Sequence, residues 1–353
     1  MAAHLQQPPL DIACALEGVC ISMDSFHISR DGAVGTLSAA GKSTLVLDTA
    51  FHIAGAWSQQ FTGKVALPVG YSQRLIIKAT KRRETYFFRV LPLSVEGNLL
   101  RFDAWIYDHE GRPCEAILNL RMSAHKRAMA PASDPLLTIQ EGCKGMSVVE
   151  LKSLLPFSYK TLTRQESALT HTQMPKRKLH FIGARVALKR LARILYPDDV
   201  PHDPSAIETI ASDRTHPACS PEGFGSMHHC SVSHDDRFVI AVAGLVPIGV
   251  DVEKLTRKAL RGARLFMSDS ERRACIGSLH GEEEDAIRVW TIKEAAAKAL
   301  DIPLSKARAR VTVLEIGNST SVVKSKGLTL ETRHAVVDDH LFTMVSVPEQ
   351  RRG

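Results

Sequence analysis

The sequence predicts an α+β protein of two domains: an N-terminal domain in which an antiparallel sheet wraps one helix, then a domain mixing strands and helices. Three stretches carry this expectation. Leu45 to Phe61 places Leu47, Phe51, Ala54 and Trp57 at helical spacing among segments rich in β-favouring residues. Ile248 to Leu255 (IGVDVEKL) alternates apolar and polar residues with a period of two, which reads as a strand with one buried face. Val289 to Leu300 (VWTIKEAAAKAL) is dominated by strong helix formers. A chain of 353 residues is long for one domain and comfortable for two. The expected division is 1–122 for the first domain, 123–150 for a linker and 151–349 for the second.

Within the first domain, strands are expected at Gln73–Ala79, Glu84–Val95, Leu99–Tyr107 and Pro113–Met122. Asp108-His109-Glu110-Gly111 forms a short turn that pairs the last two directly. Gly35 to Ser43 (GTLSAAGKS) is not a phosphate loop, because the required glycine position is Thr36 and Gly35 stands one residue too early. Pro131, Pro135 and weak periodicity mark the linker. In the second domain, Ser231 to His234 reads as a strand entering a turn at Asp235-Asp236, and Phe238 to Ala243 as the returning strand. This puts Ser233 and His234 at an exposed corner. Strands are also expected at Arg308–Ile316 and Leu328–Val347, while Glu282 to Asp285 suits a solvated helix start. His228, His229, Cys230 and His234 lack the spacing of a tetrahedral zinc site.

Composition narrows the function classes. With 44% hydrophobic and 24% charged residues the chain is an ordinary globular one. It has no run of about 18 uncharged apolar residues and no basic-then-apolar N-terminus, so a cytoplasmic location without a membrane partner is expected. Seven cysteines without C-x-x-C spacing argue for free thiols in a reducing compartment. The net charge of +7 suits a polyanionic ligand but does not by itself separate nucleic acid from other anions.

Chemistry concentrates in the two C-terminal stretches. Asp251 and Glu253 point the same way from their strand, with α-carbons about 6.5 Å apart. Two like charges on one face repel unless a cation lies between them, and oxygen ligands without Cys or His favour magnesium. Trp290, Glu294 and Lys298 share a helix face, with Lys293 at its edge.

G-V-D-V-E followed about forty residues later by W-T-I-K-E-A-A-A-K resembles the signature pair of the 4′-phosphopantetheinyl transferase superfamily. Ser231-Val232-Ser233-His234 resembles that family's S-x-S-H segment, and RKLHFIGAR at Arg177 to Arg185 resembles its R-x-x-F-x-x-x-R helix. The resemblance implies a pseudo-twofold α+β fold and magnesium-dependent transfer of the phosphopantetheine group from coenzyme A to a serine of an apo acyl carrier protein. It implies magnesium on Asp251, Glu253 and Glu294, catalytic roles for Asp251, Glu294 and Lys298, and coenzyme A contacts from Arg185, Lys189, Ser233, His234, Lys293 and Trp290. Leu265, Phe266 and Glu271 resemble the family's F-x-x-x-E region, where the carrier approaches. Thr215 and His216 replace the glycine and basic residue usual before the proline at Pro217. No nucleic-acid partner is expected.

The N-terminal residues L-x-x-D-T-A-F-H (Leu45 to His52), Leu67-Pro68 and F-D-A-W-I-Y-D-H-E-G resemble the second hotdog repeat of polyketide synthase dehydratase domains. There, the aspartate matching Asp48 works with a histidine of the first repeat and is supported by the residue matching His52. No H-x-x-x-G-x-x-x-x-P motif occurs, and neither His4 nor His27 has that context. Asp48 and His52 are therefore expected to be vestigial, and dehydration needs another chain. Half of a double hotdog leaves an apolar face, so a partner chain or self-association is expected. A rival function is that this hotdog binds acyl thioesters or completes a dehydratase with a partner. The arrangement resembles the end of an iterative polyketide synthase, fused to the enzyme that primes its carrier for polyketide or fatty acid synthesis.

Overall fold

The computed structural model describes residues 22–38, 45–81, 84–127, 134–197, 199–201, 203–210, 217–219, 228–256, 258–275 and 281–348. Thr215, His216, His4 and most of the loop before Ser43 lie outside them. The chain divides into two compact units, Met1–Ser133 and Asp134–Gly353. Among the described residues no helix is long and apolar enough to cross a membrane.

Among the described residues, the first unit sets one helix, α1 (Leu45–Thr62), against strands β1 (Ser22–Ser29), β2 (Gly32–Ser38), β3 (Lys64–Gly70), β4 (Gln73–Ile76), β5 (Thr85–Glu96), β6 (Leu99–Tyr107) and β7 (Pro113–Arg127). The sheet order is β1-β2-β5-β6-β7-β3, with β4 also on β7, and every pairing is antiparallel. Ala50, Ile53, Ala54 and Trp57 of α1 pack against Phe88, Phe102 and Leu120, while Phe51 is only half-buried. The Trp57 indole N–H donates to the Ser29 carbonyl at 3.0 Å, fastening the helix to the end of β1. This is the hotdog-like arrangement of a helix wrapped by a sheet.

Asp108 builds the predicted β6–β7 turn by accepting the Glu110 and Arg112 amides at 3.0 and 2.9 Å. The Arg112 amide and guanidinium and the Lys78 ammonium outweigh the cost of burial, holding the Asp108 carboxyl well below the ordinary range. The sheet departs from expectation at its margins. The strand expected over Gln73–Ala79 ends at Ile76, and β3 precedes it as a strand of its own.

The expected linker is also largely structured. β7 runs on to Arg127, a short helix covers Leu137–Gln140, and β8 (Gly145–Glu150) pairs with the second unit's sheet. Proline and small residues gave this segment the look of a connector. Its pairing partner, about ninety residues away, leaves no mark in local periodicity.

The second unit repeats one idea twice: a sheet with a long helix on its outer face. β8, β10 (Phe238–Gly244) and β9 (His229–His234) form the first sheet, covered by α2 (Pro175–Leu195) through Val186, Ala187 and Leu191. β11 (Ile248–Lys254), β15 (His340–Ser346), β14 (Leu328–Val337), β13 (Thr320–Ser325) and β12 (Val311–Glu315) form the second, covered by α3 (Glu282–Ala299) through Val289, Ile292 and Ala296. Their inner faces meet through Ile240, Val242, Val250, Val252 and Phe342. Where a strand was expected over Arg308–Ile316, a helix (Leu304–Arg310) occupies the start and β12 the rest. The expected run Leu328–Val347 is a hairpin, broken by Asp338 and Asp339 at φ of 45° and 62°.

Candidate functional site

β11, β9 and α3 converge at one place. Gly249 lets α3 lie directly on β11, since a side chain there would meet the helix backbone. One step along β11, Asp251 is 2% exposed, and Glu253 points the same way. From α3, Glu294 and Lys298 face this strand while Lys293, about 100° round the helix, does not.

Lys298 organises the cluster. Its ammonium donates to Asp251 Oδ1 at 2.9 Å, to the Val250 carbonyl at 2.9 Å and to Ser233 Oγ at 3.0 Å, and stands 3.8 Å from Glu294. Ser233 in turn donates to Asp251 Oδ1 at 2.7 Å. Both contacts fall on one oxygen of Asp251. Among the described residues the other, Oδ2, is buried and is answered only by the neighbouring Glu294 carboxyl.

Three carboxylates therefore meet with one ammonium among them. Burial first, then the Asp251 charge, pushes Glu253 up to about 7 and Glu294 up to about 8. Trp290 donates its indole N–H to Glu253 Oε1 at 3.2 Å and stacks edge-on to Phe266 at 5.0 Å, so it orients an acid. Two acids that hold their protons unusually tightly beside a buried carboxylate make an arrangement whose repulsion a bound cation would relieve. An all-oxygen donor set fits magnesium. The acids are not drawn fully together: among the described residues, the group whose ligand atoms all lie within 4.8 Å of one another is a different one, Asp235, Asp236 and His340.

Several residues expected at coenzyme A are committed elsewhere. Lys293 is 2% exposed, and its ammonium donates to Glu271 Oε2 and the Phe266 carbonyl, both at 2.8 Å. Glu271, expected near a carrier, is buried as well and accepts the Val313 and Ser268 amides. Lys189 is 3% exposed, paired with Glu166 at 2.7 Å and donating to the carbonyls of Thr161 and Pro204. Both lysines close internal ion pairs, because a buried ammonium must find acceptors. Ser233 is buried rather than at an exposed corner, since alternation on β9 turns Ser231 and Ser233 towards β11.

His234 faces the other way and stays exposed. Its ring lies 4.7 Å from that of His180 on α2, and partial desolvation with the positive neighbours His180 and Lys298 lowers its pKa. Arg185 is half-buried over the Phe181 ring at 4.8 Å. It donates twice to Thr209 through Nη1 at 3.0 Å, while its Nε is buried without a partner. The pairing of Asp251 with Ser233 and Lys298 was not anticipated, although the S-x-S spacing on a strand was its available sign. Near the zinc-like cluster, His228 bonds to the Tyr196 hydroxyl at 2.6 Å and Cys230 donates to the Pro217 carbonyl. In the first unit, His52 meets the backbone carbonyl of Asp48 at 2.7 Å, one helical turn back, instead of supporting its carboxylate.

Fold and cluster together define a two-sheet α+β domain with an acidic, oxygen-lined site between β11 and α3. Residues 247–343 match the family model of the 4′-phosphopantetheinyl transferase superfamily. A curated relative, 4′-phosphopantetheinyl transferase Sfp of Bacillus subtilis (strain 168), is 31% identical over 88 residues, which is 24% of this chain and 39% of that protein. Among solved structures, smu.793 from Streptococcus mutans UA159 bound to acetyl CoA aligns with 31% of this chain and 91% of its own, at 15% identity and a TM-score of 0.27. A thioesterase from Haemophilus influenzae aligns with 34% of this chain and 90% of its own, at 15% identity and a TM-score of 0.29.

Proposed function

We propose that the second unit transfers the 4′-phosphopantetheine group from coenzyme A to a serine of an apo acyl carrier protein, serving a polyketide or fatty acid synthase. The observation that carries this reading is that Asp251, Glu253 and Glu294 stand close enough for the Asp251 charge to raise both glutamates, inside the segment that matches the superfamily.

Asp251, Glu253 and Glu294 are the residues that would hold magnesium, which when bound supplies Lewis-acid polarisation of a phosphate oxygen. Lys298 and Ser233 hold Asp251 through Oδ1, leaving Oδ2 beside the Glu294 carboxyl. Glu294, on the helix face turned towards Asp251, takes the proton from the attacking serine hydroxyl, directly or through one water. Trp290 steadies Glu253, while Arg185 and His234 are the side chains left with capacity for coenzyme A phosphates. The products are holo carrier protein and 3′,5′-adenosine bisphosphate. The test is incubation of the full chain with coenzyme A, Mg2+ and an apo carrier, followed by intact-mass measurement. A phosphopantetheine increment on the carrier is the expected result, and none across fatty acid and polyketide carriers rejects the reading.

A second reading concerns the first unit as an acyl-thioester-binding or dehydratase half-domain acting with a partner chain. It is favoured by β3, an edge strand of the sheet, on which Val65, Leu67 and Val69 are exposed.

A further inference from the structure

At the far end of β9 from its entry, the chain turns through Asp235 and Asp236, and this turn meets the start of β15 at His340. The three side chains put one nitrogen and two oxygens within 4.8 Å of one another. His340 Nε2 lies 3.1 Å from Asp235 Oδ2 and 3.6 Å from Asp236 Oδ1.

Each inner group is aimed by its other end. Asp235 Oδ1 accepts the backbone amides of Arg237 and Phe238 at 2.8 and 2.7 Å, which turns Oδ2 towards the histidine. His340 Nδ1 donates to the Asp338 carbonyl at 2.6 Å, and its ring packs edge-on to Phe238 at 5.0 Å. With Nδ1 engaged as a donor, Nε2 is the ring nitrogen left to ligate a metal.

Among the described residues nothing else answers these two atoms. His340 Nε2 and Asp235 Oδ2 are both buried, and each lacks a hydrogen-bond partner; although 3.1 Å apart, they are not aligned to share a proton. His340 is 2% exposed. Arg237, the nearest cation in sequence, is engaged with Glu150 and Asp338, both at 2.7 Å. Ligands about 2.1 Å from a zinc ion at tetrahedral angles stand about 3.4 Å from one another, and the two distances bracket that value.

We propose that Asp235, Asp236 and His340 form a divalent transition-metal site, with zinc the fitting ion, separate from the magnesium acids. An imidazole donor selects against magnesium and calcium. Two carboxylates and a neutral imidazole balance a 2+ ion, and the exposed side of Asp236 leaves room for water as a further ligand. Because His340 pairs with Lys254, next to Glu253, the ion clips the end of β9 to the strand beside the acids.

The test is titration of the untagged, chelator-stripped full chain with Zn2+ against a chromophoric chelator, with excess Mg2+ present to occupy the Asp251 acids. One equivalent of zinc is expected. Asp236→Asn, at an exposed side chain, and His340→Gln each weaken it by at least about tenfold, and Asp251→Asn leaves it in place. An anomalous difference peak at the zinc edge between Asp235 and His340 gives a second readout. Absence of that equivalent, or affinities in both Asp236→Asn and His340→Gln within twofold of the parent, overturns the site and leaves an ordinary histidine–aspartate ion pair. Should His340→Gln fail to fold, Asp236→Asn decides alone.

Discussion

A β-carbon on Gly249 would stand 1.9 Å from the carbonyl oxygen of Ala295 and 2.6 Å from the Ala299 amide nitrogen. Strand and helix therefore touch backbone to backbone at the step before Asp251, and Ala295 follows Glu294 directly. Neither partner is the flexible end of a side chain. Gly249→Ala should destabilise the second unit by about 1–3 kcal/mol or more, read as a lower urea midpoint. It should also lower transfer activity in the protein that remains folded, because α3 must lift away from β11. An unchanged midpoint would show the contact to be slack.

Three lysines that look alike in sequence should behave in two ways. Lys293→Met and Lys189→Met each leave a buried carboxylate, Glu271 or Glu166, without its cation, a loss of about 3–5 kcal/mol visible in thermal unfolding. Lys298→Met also strands a buried carboxylate, Asp251, but this loss should be restored by added Mg2+ while most of the transfer rate stays lost. If Lys293→Met melts like the parent and raises only the KM for coenzyme A, its ammonium reaches substrate after all.

The raised carboxyls set a pH dependence of definite sign. Glu253 and Glu294 hold protons in the folded state up to about 7 and about 8, against an ordinary value of 4.5. The folded chain therefore binds more protons than the unfolded chain between those limits, and stability is lost as pH rises through them. In chelator, the melting temperature should fall from about pH 5 to about pH 8.5 more steeply than in the Glu253→Gln/Glu294→Gln variant. Added Mg2+ should flatten the difference. Parallel profiles for parent and variant would show that the two carboxyls are not raised in the folded chain.

The exposed residues of β3 make a prediction for assembly. If that edge joins another copy, Leu67→Lys should shift the chain towards a smaller species in sedimentation velocity. If parent and variant sediment alike as monomers, self-association through β3 is ruled out, and a different partner chain is the remaining form of that reading.

The parts of this architecture that were legible in the sequence carry their signal locally. The alternation around Asp251 and Glu253 gave β11, the alanine-rich run gave α3, and Asp108 to Gly111 gave the β6–β7 turn. What escaped depends on distant partners. Helical spacing placed Lys293 beside Glu294, but which side of the helix is buried is decided by Glu271, 22 residues away. The pairing of β8 with β10, and the approach of His340 to Asp235 across more than a hundred residues, likewise have no short-range signature.

Adjacent positions on α3 are pinned in opposed directions. Lys293 is held by Glu271, which is itself held by the amides of Ser268 and Val313. That anchorage acts as a dowel: it sets the azimuth of the helix, and hence the heading of its neighbour Glu294. Damage to the dowel, remote from any reacting atom, would turn the acid off target, so loss of turnover from substitutions near Ser268 or Val313 would be mechanical rather than chemical.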